Sequence, residues 1–267
     1  MPGADLPASD ADGALLGEAV RAAGKLALSL FRTELRQWTK GVSSPVSEAD
    51  LAVDELLRTM LRTPRPGYGW LSEESPDHPE RLRLARVWVV DPIDGTRAFL
   101  AGRDDWSVSV ALVQDGRPLV AAVYAPATGE FFSATKGTGA RLNDAPIRAT
   151  QGDELRQARV AGPQKMLEWL NDSELAMVAA PRIGSLALRL ARVAEGRLDV
   201  ALVGGNSHDW DLAAADLLVH EAGGRMTTLA GEGLVYNRPE IVHQRLVAAG
   251  GDRHARLVGH IRRTDRT

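Results

Sequence analysis

The run Val87-Trp88-Val89-Val90-Asp91-Pro92-Ile93-Asp94-Gly95-Thr96 constrains this chain more than any other stretch. Four consecutive β-branched and aromatic residues read as a buried strand, and Pro92, which has no N–H for a ladder, predicts that the strand ends at Asp91. Gly95 permits a tight turn and Thr96 can cap the next element, so Asp91 and Asp94 would flank a turn whose free amides point outward. A carboxylate closing an apolar strand needs a partner. Two of them beside amide donors suit a metal ion and a phosphate together.

At 267 residues the chain makes one large domain or two small ones, enough for a sizeable core. With 44% apolar and 25% charged residues and a formal net charge of −3, no binding to nucleic acid or membrane by bulk charge is expected. Cysteine is absent, which excludes disulfides, thiolate metal sites and cysteine nucleophiles. Met1 to Asp5 carry no basic stretch followed by an apolar one, and no apolar run reaches the roughly 18 residues of a membrane span, so a cytoplasmic protein is expected.

Residues 1–12, rich in Pro, Gly and Asp, are expected to fray. Leu15, Leu16, Ala19, Val20, Ala23, Leu26, Ala27 and Leu30 recur at three and four and predict an amphipathic helix over 14–31, which Gly17 and Gly24 weaken. A polar loop at 40–46 leads to Ser47-Glu48-Ala49-Asp50, a capping box with Asp in place of the usual Glu, and a second helix to about Leu61. Residues 68–71 form a short strand and 72–76 an acidic turn. Strands around 107–112, 119–124 and 131–132, with turns at Asp115-Gly116 and Thr128-Gly129, make an antiparallel meander. Beyond about Thr150, strands near 159–161, 176–179 and 198–203 alternate with helices near 164–170, 185–195 and 211–221. That rhythm predicts an α+β half over 1–149, carrying most of the acids, and an α/β half over 150–267 that supplies Asp211.

Four acidic stations qualify for a Mg²⁺ site, which needs hard oxygen donors from several segments: Asp50, Glu73 with Glu74, Asp91 with Asp94, and Asp211. Taken singly, Asp50 reads as a first-turn capping acid, Glu73 and Glu74 as solvated loop acids, and Asp211 as an N-cap. His208 reads as a solvated loop histidine. Their combination is more specific. In order and spacing, Ser47-Glu48-Ala49-Asp50, Leu71-Ser72-Glu73-Glu74, Asp91-Pro92-Ile93-Asp94-Gly95-Thr96, Trp210-Asp211 and Glu221-Ala222-Gly223-Gly224 resemble the inositol monophosphatase superfamily of metal-dependent phosphomonoesterases.

The resemblance implies a five-layer αβαβα sandwich, an α/β and α+β arrangement with its site between the halves, and lithium-sensitive hydrolysis of a small phosphate monoester. It implies two or three Mg²⁺ ions, the first on Glu73, Asp91 and the Ile93 carbonyl, the second on Asp91, Asp94 and Asp211, and a weaker third on Glu73. Glu74 would neighbour the site. The nucleophile would be a metal-activated water oriented by Thr96, itself polarised by Asp50, with the amides of Gly95 and Thr96 cradling phosphate. Asp-x-Asp-Gly-Thr phosphatases of the haloacid dehalogenase family are excluded, because Pro92 and Ile93 separate the two acids and Gly251-Asp252 is followed by Arg256 where a second Asp is needed.

For the substrate, inositol enzymes place a glutamate shortly after the Asp matching Asp199; here Val200 to Gly205 contain no acid. Arg97 after the Gly-Thr pair, the lead-in at 40–50 and the segment from Ser185 to Gly196 resemble bacterial 3′(2′),5′-bisphosphate nucleotidases instead. A second phosphate needs a cation away from the metals, and Arg97, Arg182 and Arg189 are candidates, with Ser185 as a further contact. The leading expectation is therefore hydrolysis of 3′-phosphoadenosine 5′-phosphate to AMP, as in sulfur assimilation, with inositol-1-phosphate or fructose-1,6-bisphosphate as alternative substrates. A non-catalytic metal- or nucleotide-binding relative is the alternative of another class. A homodimer is the expected assembly.

Overall fold

The computed structural model describes residues 8–40, 44–171 and 175–264. Helix α1 spans Ala8–Leu30, β1 Gln37–Lys40, β2 Ser44–Ser47 and α2 Glu48–Arg62. The expected fraying of residues 1–7 and the loop positions 41–43 lie outside the described residues, but 8–12 are helical, six residues earlier than the periodicity places the start. Asp12 explains the difference: it is fully buried and accepts from Arg65 Nε (2.7 Å), Arg86 Nη1 (2.8 Å) and Tyr68 Oη (2.9 Å). Around the loop, β1 and β2 pair antiparallel where the sequence predicts only a polar connection. Gly24 is required, since a Cβ there would collide with the Tyr124 ring on the sheet beneath α1. The capping box forms as the spacing predicts, Ser47 Oγ accepting from Ala49 N while Asp50 accepts from Ser47 N.

Strands β3 (Gly69–Ser72), β4 (Arg86–Asp94), β5 (Ser107–Gln114), β6 (Arg117–Ala125), β7 (Glu130–Thr135), β8 (Ala140–Leu142) and β9 (Ala145–Ile147) form one sheet in sequence order, parallel only between β3 and β4. Both of its faces are covered. Trp88, Val90, Val110 and Leu112 pack with Leu16, Val20, Leu57 and Leu61 of α1 and α2, while Val87, Val89, Ala111 and Val113 point the other way. A strand buried on both sides has no polar face, which is why β4 reads as an unbroken apolar run. That strand does not end at Asp91. It continues to Asp94 through a register shift opposite Ser109 and Ser107, and Pro92 is accommodated because a bulge asks no ladder N–H of it. Helix α3 (Thr96–Leu100) comes directly after it.

The second sheet is built from β10 (Arg159–Ala161), β11 (Val178–Ala179), β12 (Val200–Val203), β14 (Gly224–Thr228) and β16 (Leu246–Gly250), in the order β11-β10-β12-β16-β14. A separate ribbon pairs β13 (Ser207–His208) with β15 (Val242–His243). Helices α4 (Gln164–Asn171) and α7 (Gly251–Thr264) cover the outer face, where Met166, Leu170, Leu257 and Ile261 meet Val160, Leu202 and Val247. Helices α5 (Leu186–Glu195) and α6 (Asp209–Glu221) fill the space between the sheets. Leu212, Ala213, Ala214, Ala215, Leu217, Leu218 and Val219 make α6 apolar on every side, as a helix enclosed by two sheets must be. The layers α1/α2, large sheet, α5/α6, small sheet and α4/α7 are the αβαβα sandwich that the resemblance implies.

Candidate active site

Asp91, Asp94 and Asp211 come together where the β4 bulge meets the N-termini of α5 and α6. One carboxylate oxygen from each lies within 4.8 Å of the others. Asp91 is 1% exposed and its Oδ1 is buried with no hydrogen-bond partner. Burial, then the charges of Glu73, Asp94, Asp211 and Asp50, push its carboxyl well above the ordinary range. Asp94 is raised to about 6 by burial and by Asp211, against the pull of its own donors. Those donors are Ser185 Oγ (2.6 Å), Leu186 N (3.1 Å) and Ala187 N (2.6 Å), so Asp94 caps α5 from the other half of the chain. Asp211 is the third residue of α6, not its N-cap, and takes a hydrogen bond from His208 N (2.6 Å).

Oxygen-only donors, mutual repulsion and one orphaned buried oxygen are what a hard divalent cation resolves, and the set fits Mg²⁺. Glu73 stands just after β3, tied by its N–H to Val90 O (3.2 Å) and close enough for its charge to act on Asp91. Its loop is held from below by Asp54, which accepts from Ser72 Oγ and Ser75 Oγ (2.5 and 2.6 Å). Glu74 is half-buried beside it, its N–H on Ser72 Oγ (3.3 Å).

Asp50 lies on the other side of the turn, 2% exposed, with its pKa raised by burial and lowered by Ser47 and Thr96. Its Oδ2 accepts from Ser47 Oγ (2.6 Å) and N (2.8 Å), leaving Oδ1 for Thr96 Oγ1 at 3.2 Å. Thr96 Oγ1 also lies 3.0 Å from Ile93 O, so one hydroxyl proton has two acceptors. Gly95 adopts φ 92°, and a Cβ there would sit 3.0 Å from Ser185 N, so glycine is required for the turn to meet α5.

Of the expected substrate contacts, Arg97 and Arg182 are exposed. Arg189 is turned inward, Nη1 donating to Leu202 O (3.3 Å) and Nε buried without a partner, and burial lowers its pKa. Ser185 is corrected: fully buried, with its Oγ on Asp94, Leu188 N and Ser107, it positions a carboxylate and has no surface for a substrate. His208 is solvated as expected but is not a loop residue: it closes β13, is the N-cap of α6 and stacks on Trp210.

Sequence reasoning missed the anchors of α6. Asp209, 1% exposed, accepts from Asn237 N (2.7 Å) and pairs with His243 Nε2 (2.7 Å), and Asn237 Oδ1 in turn accepts from Arg81 Nη1 (2.7 Å). Asp216 accepts from Tyr236 Oη (2.9 Å). These ties link the segment after the Glu73 loop to the helix bearing Asp211. The sequence signal was Asp216 standing in the apolar run from Leu212 to Val219, and Asp209 two residues before Asp211.

The model of the inositol monophosphatase family matches residues 14–265. An inositol-1-monophosphatase of Caulobacter vibrioides is 32% identical over 259 residues, covering 91% of this chain and 99% of that protein. A histidinol-phosphatase of Chlorobaculum parvum is 34% identical over 251 residues, 88% of this chain and 95% of its own. Among solved structures, the extragenic suppressor protein SuhB of Bartonella henselae superposes with a TM-score of 0.82 at 28% identity, over 93% of this chain and 97% of that one. With this fold around this acidic cluster, the chain belongs to the inositol monophosphatase family of phosphatases.

Proposed function

We propose that the protein is a Mg²⁺-dependent phosphomonoesterase that removes the 3′-phosphate of 3′-phosphoadenosine 5′-phosphate, leaving AMP. The observation that carries the metal dependence is the convergence of Asp91, Asp94 and Asp211, one carboxylate oxygen of each within 4.8 Å of the others, with Asp91 Oδ1 buried and unpartnered. Asp91, Asp94 and Asp211 would hold one ion, and Glu73, Asp91 and the Ile93 carbonyl another. Bound Mg²⁺ supplies the charge that activates a water near neutral pH and stabilises the departing oxygen. The chain's own residues do the positioning. Asp50 Oδ1 and Ile93 O are the two acceptors within reach of the Thr96 proton, and donation to Asp50 would leave the Thr96 lone pairs free to orient a water for attack. The amides of Gly95 and Thr96 precede the hydrogen-bonded part of α3 and would donate to phosphate oxygens.

The nucleotide reading draws on the stretch Val200 to Gly205, which contains no acid where the inositol enzymes carry a glutamate shortly after the Asp matching Asp199, and on exposed Arg97 and Arg182 as cations for a second phosphate. The names of the relatives favour a second reading, inositol-1-phosphate. Phosphate release from 3′-phosphoadenosine 5′-phosphate, inositol-1-phosphate and fructose-1,6-bisphosphate, compared by kcat/KM with Mg²⁺ and with EDTA, tests both. A preference of about tenfold, roughly 1.4 kcal/mol, for the nucleotide supports the first reading. Asp94→Asn is expected to abolish nearly all turnover, and full activity in that variant or in EDTA would overturn the site.

A further inference from the structure

The rings of His208 and Trp210 lie flat on one another, centroids 4.6 Å apart and planes 5° from parallel. They stand at the start of α6 beside Asp211, His208 Nδ1 being 3.7 Å from Asp211 Oδ2. Trp210 is half-buried against the middle apolar layer, whereas the His208 side chain keeps 36% of its surface in solvent. The imidazole therefore has one face covered by indole and stands open to water at the rim of the acidic cluster.

The segment that leads into β13 carries little side chain. Strand β12 ends at Val203, and Gly204, Gly205 and Asn206 lead into β13. A Cβ at Gly205 would meet nothing within 4 Å, and no carboxylate side chain arises between Val203 and Ser207. A ring of hydroxyls needs acceptors at this edge. A planar base needs a flat, rigid π surface, and the stacking on Trp210 already restricts the His208 rotamer.

We infer that the exposed face of His208, backed by Trp210, is the specificity surface that receives the base of a purine nucleoside phosphate while the reacting phosphate lies at Asp91, Asp94 and Asp211. This rests on the phosphomonoesterase reading above and deepens it by naming the part of the site that selects the leaving group.

The test compares kcat/KM for 3′-phosphoadenosine 5′-phosphate with that for inositol-1-phosphate in the wild type, His208→Ala and His208→Phe. Any shared loss through Asp211 cancels in the ratio. Base stacking on an aromatic ring is strong enough for His208→Ala to lower the ratio about tenfold, and His208→Phe, which keeps a flat ring, should restore it. Titration with AMP followed by tryptophan fluorescence, with ribose 5-phosphate as the base-free control, should show AMP binding weakened about tenfold in His208→Ala and ribose 5-phosphate binding changed less. An unchanged ratio in His208→Ala, or one lost equally in His208→Phe, would overturn the inference. A wild type that hydrolyses these substrates with no preference for the base-bearing one would overturn it alone; a wild type that releases phosphate from none of them would overturn the proposed function with it.

Discussion

Ser185→Ala removes a hydroxyl that makes three contacts at once. Its Oγ donates to Asp94 Oδ2 at 2.6 Å, accepts from Leu188 N at 2.9 Å as the N-cap of α5, and lies 2.9 Å from Ser107 Oγ. Loss of an N-cap costs about 1 kcal/mol, and loss of a buried hydrogen bond to a carboxylate about 1.5 kcal/mol more. Leu186 N and Ala187 N remain on Asp94, so the carboxylate loosens without becoming unpaired. The sum, about 2.5 kcal/mol, corresponds to a fall in Tm of about 4–5 °C for a chain of this size. Scanning calorimetry reads the stability; the Mg²⁺ concentration for half-maximal phosphate release reads the carboxylate and should rise severalfold. Ser29→Ala, which removes an exposed hydroxyl bonded only to Leu26 O, controls for the substitution itself and should shift Tm by less than about 1 °C. If Ser185→Ala matches that control in Tm and in Mg²⁺ dependence, the hydroxyl does not hold Asp94 and the coupling between β4 and α5 is wrongly drawn.

Asp12→Ala should destabilise by about 2–3 kcal/mol, because it strands the Arg65 and Arg86 guanidiniums, although their partial exposure limits the penalty; a urea midpoint equal to wild type would refute the clamp. His254, 4% exposed and 2.9 Å from Thr227 Oγ1, has its pKa lowered to about 4 by burial and then by the charges of Arg225 and His220. Its neutral form is the folded form, so the stability it contributes is present above about 6.5 and is lost as pH falls toward 4. Between pH 7 and pH 5 the loss is at most about 2 kcal/mol, and His254→Gln should flatten that part of the stability profile. An equal slope in both proteins, measured by urea unfolding, would refute the assignment.

Local chemistry makes much of the site legible. The capping box at Ser47 and Asp50 needs residues three apart, and the doubly buried β4 announces itself by composition alone. Asp91, Asp94 and Asp211 stand out because carboxylates in apolar surroundings demand partners. The errors share a cause. Pro92 reads as a strand end because a bulge depends on the neighbouring strand, and Asp12 reads as part of a frayed terminus because its arginines lie 53 and 74 residues away. Ser185 reads as a substrate contact although its partner, Asp94, lies 91 residues earlier, and the tie from Arg81 to Asn237 spans 156.

Legible in the residues alone were α1, α2, the meander, helices α5 and α6 and the acidic stations in their order along the chain, since each follows from periodicity, capping and the cost of burying charge within a few residues, whereas β14 and β16 carry no such local signal. Which carboxylates converge, that Asp94 caps a helix 91 residues further on, that Asp209 and His243 anchor the helix carrying Asp211, and that His208 lies flat on Trp210 emerge with the folded chain alone. Those are contacts between segments far apart in the chain, and side-chain geometry across such distances exists only once the two sheets have closed on the helices between them.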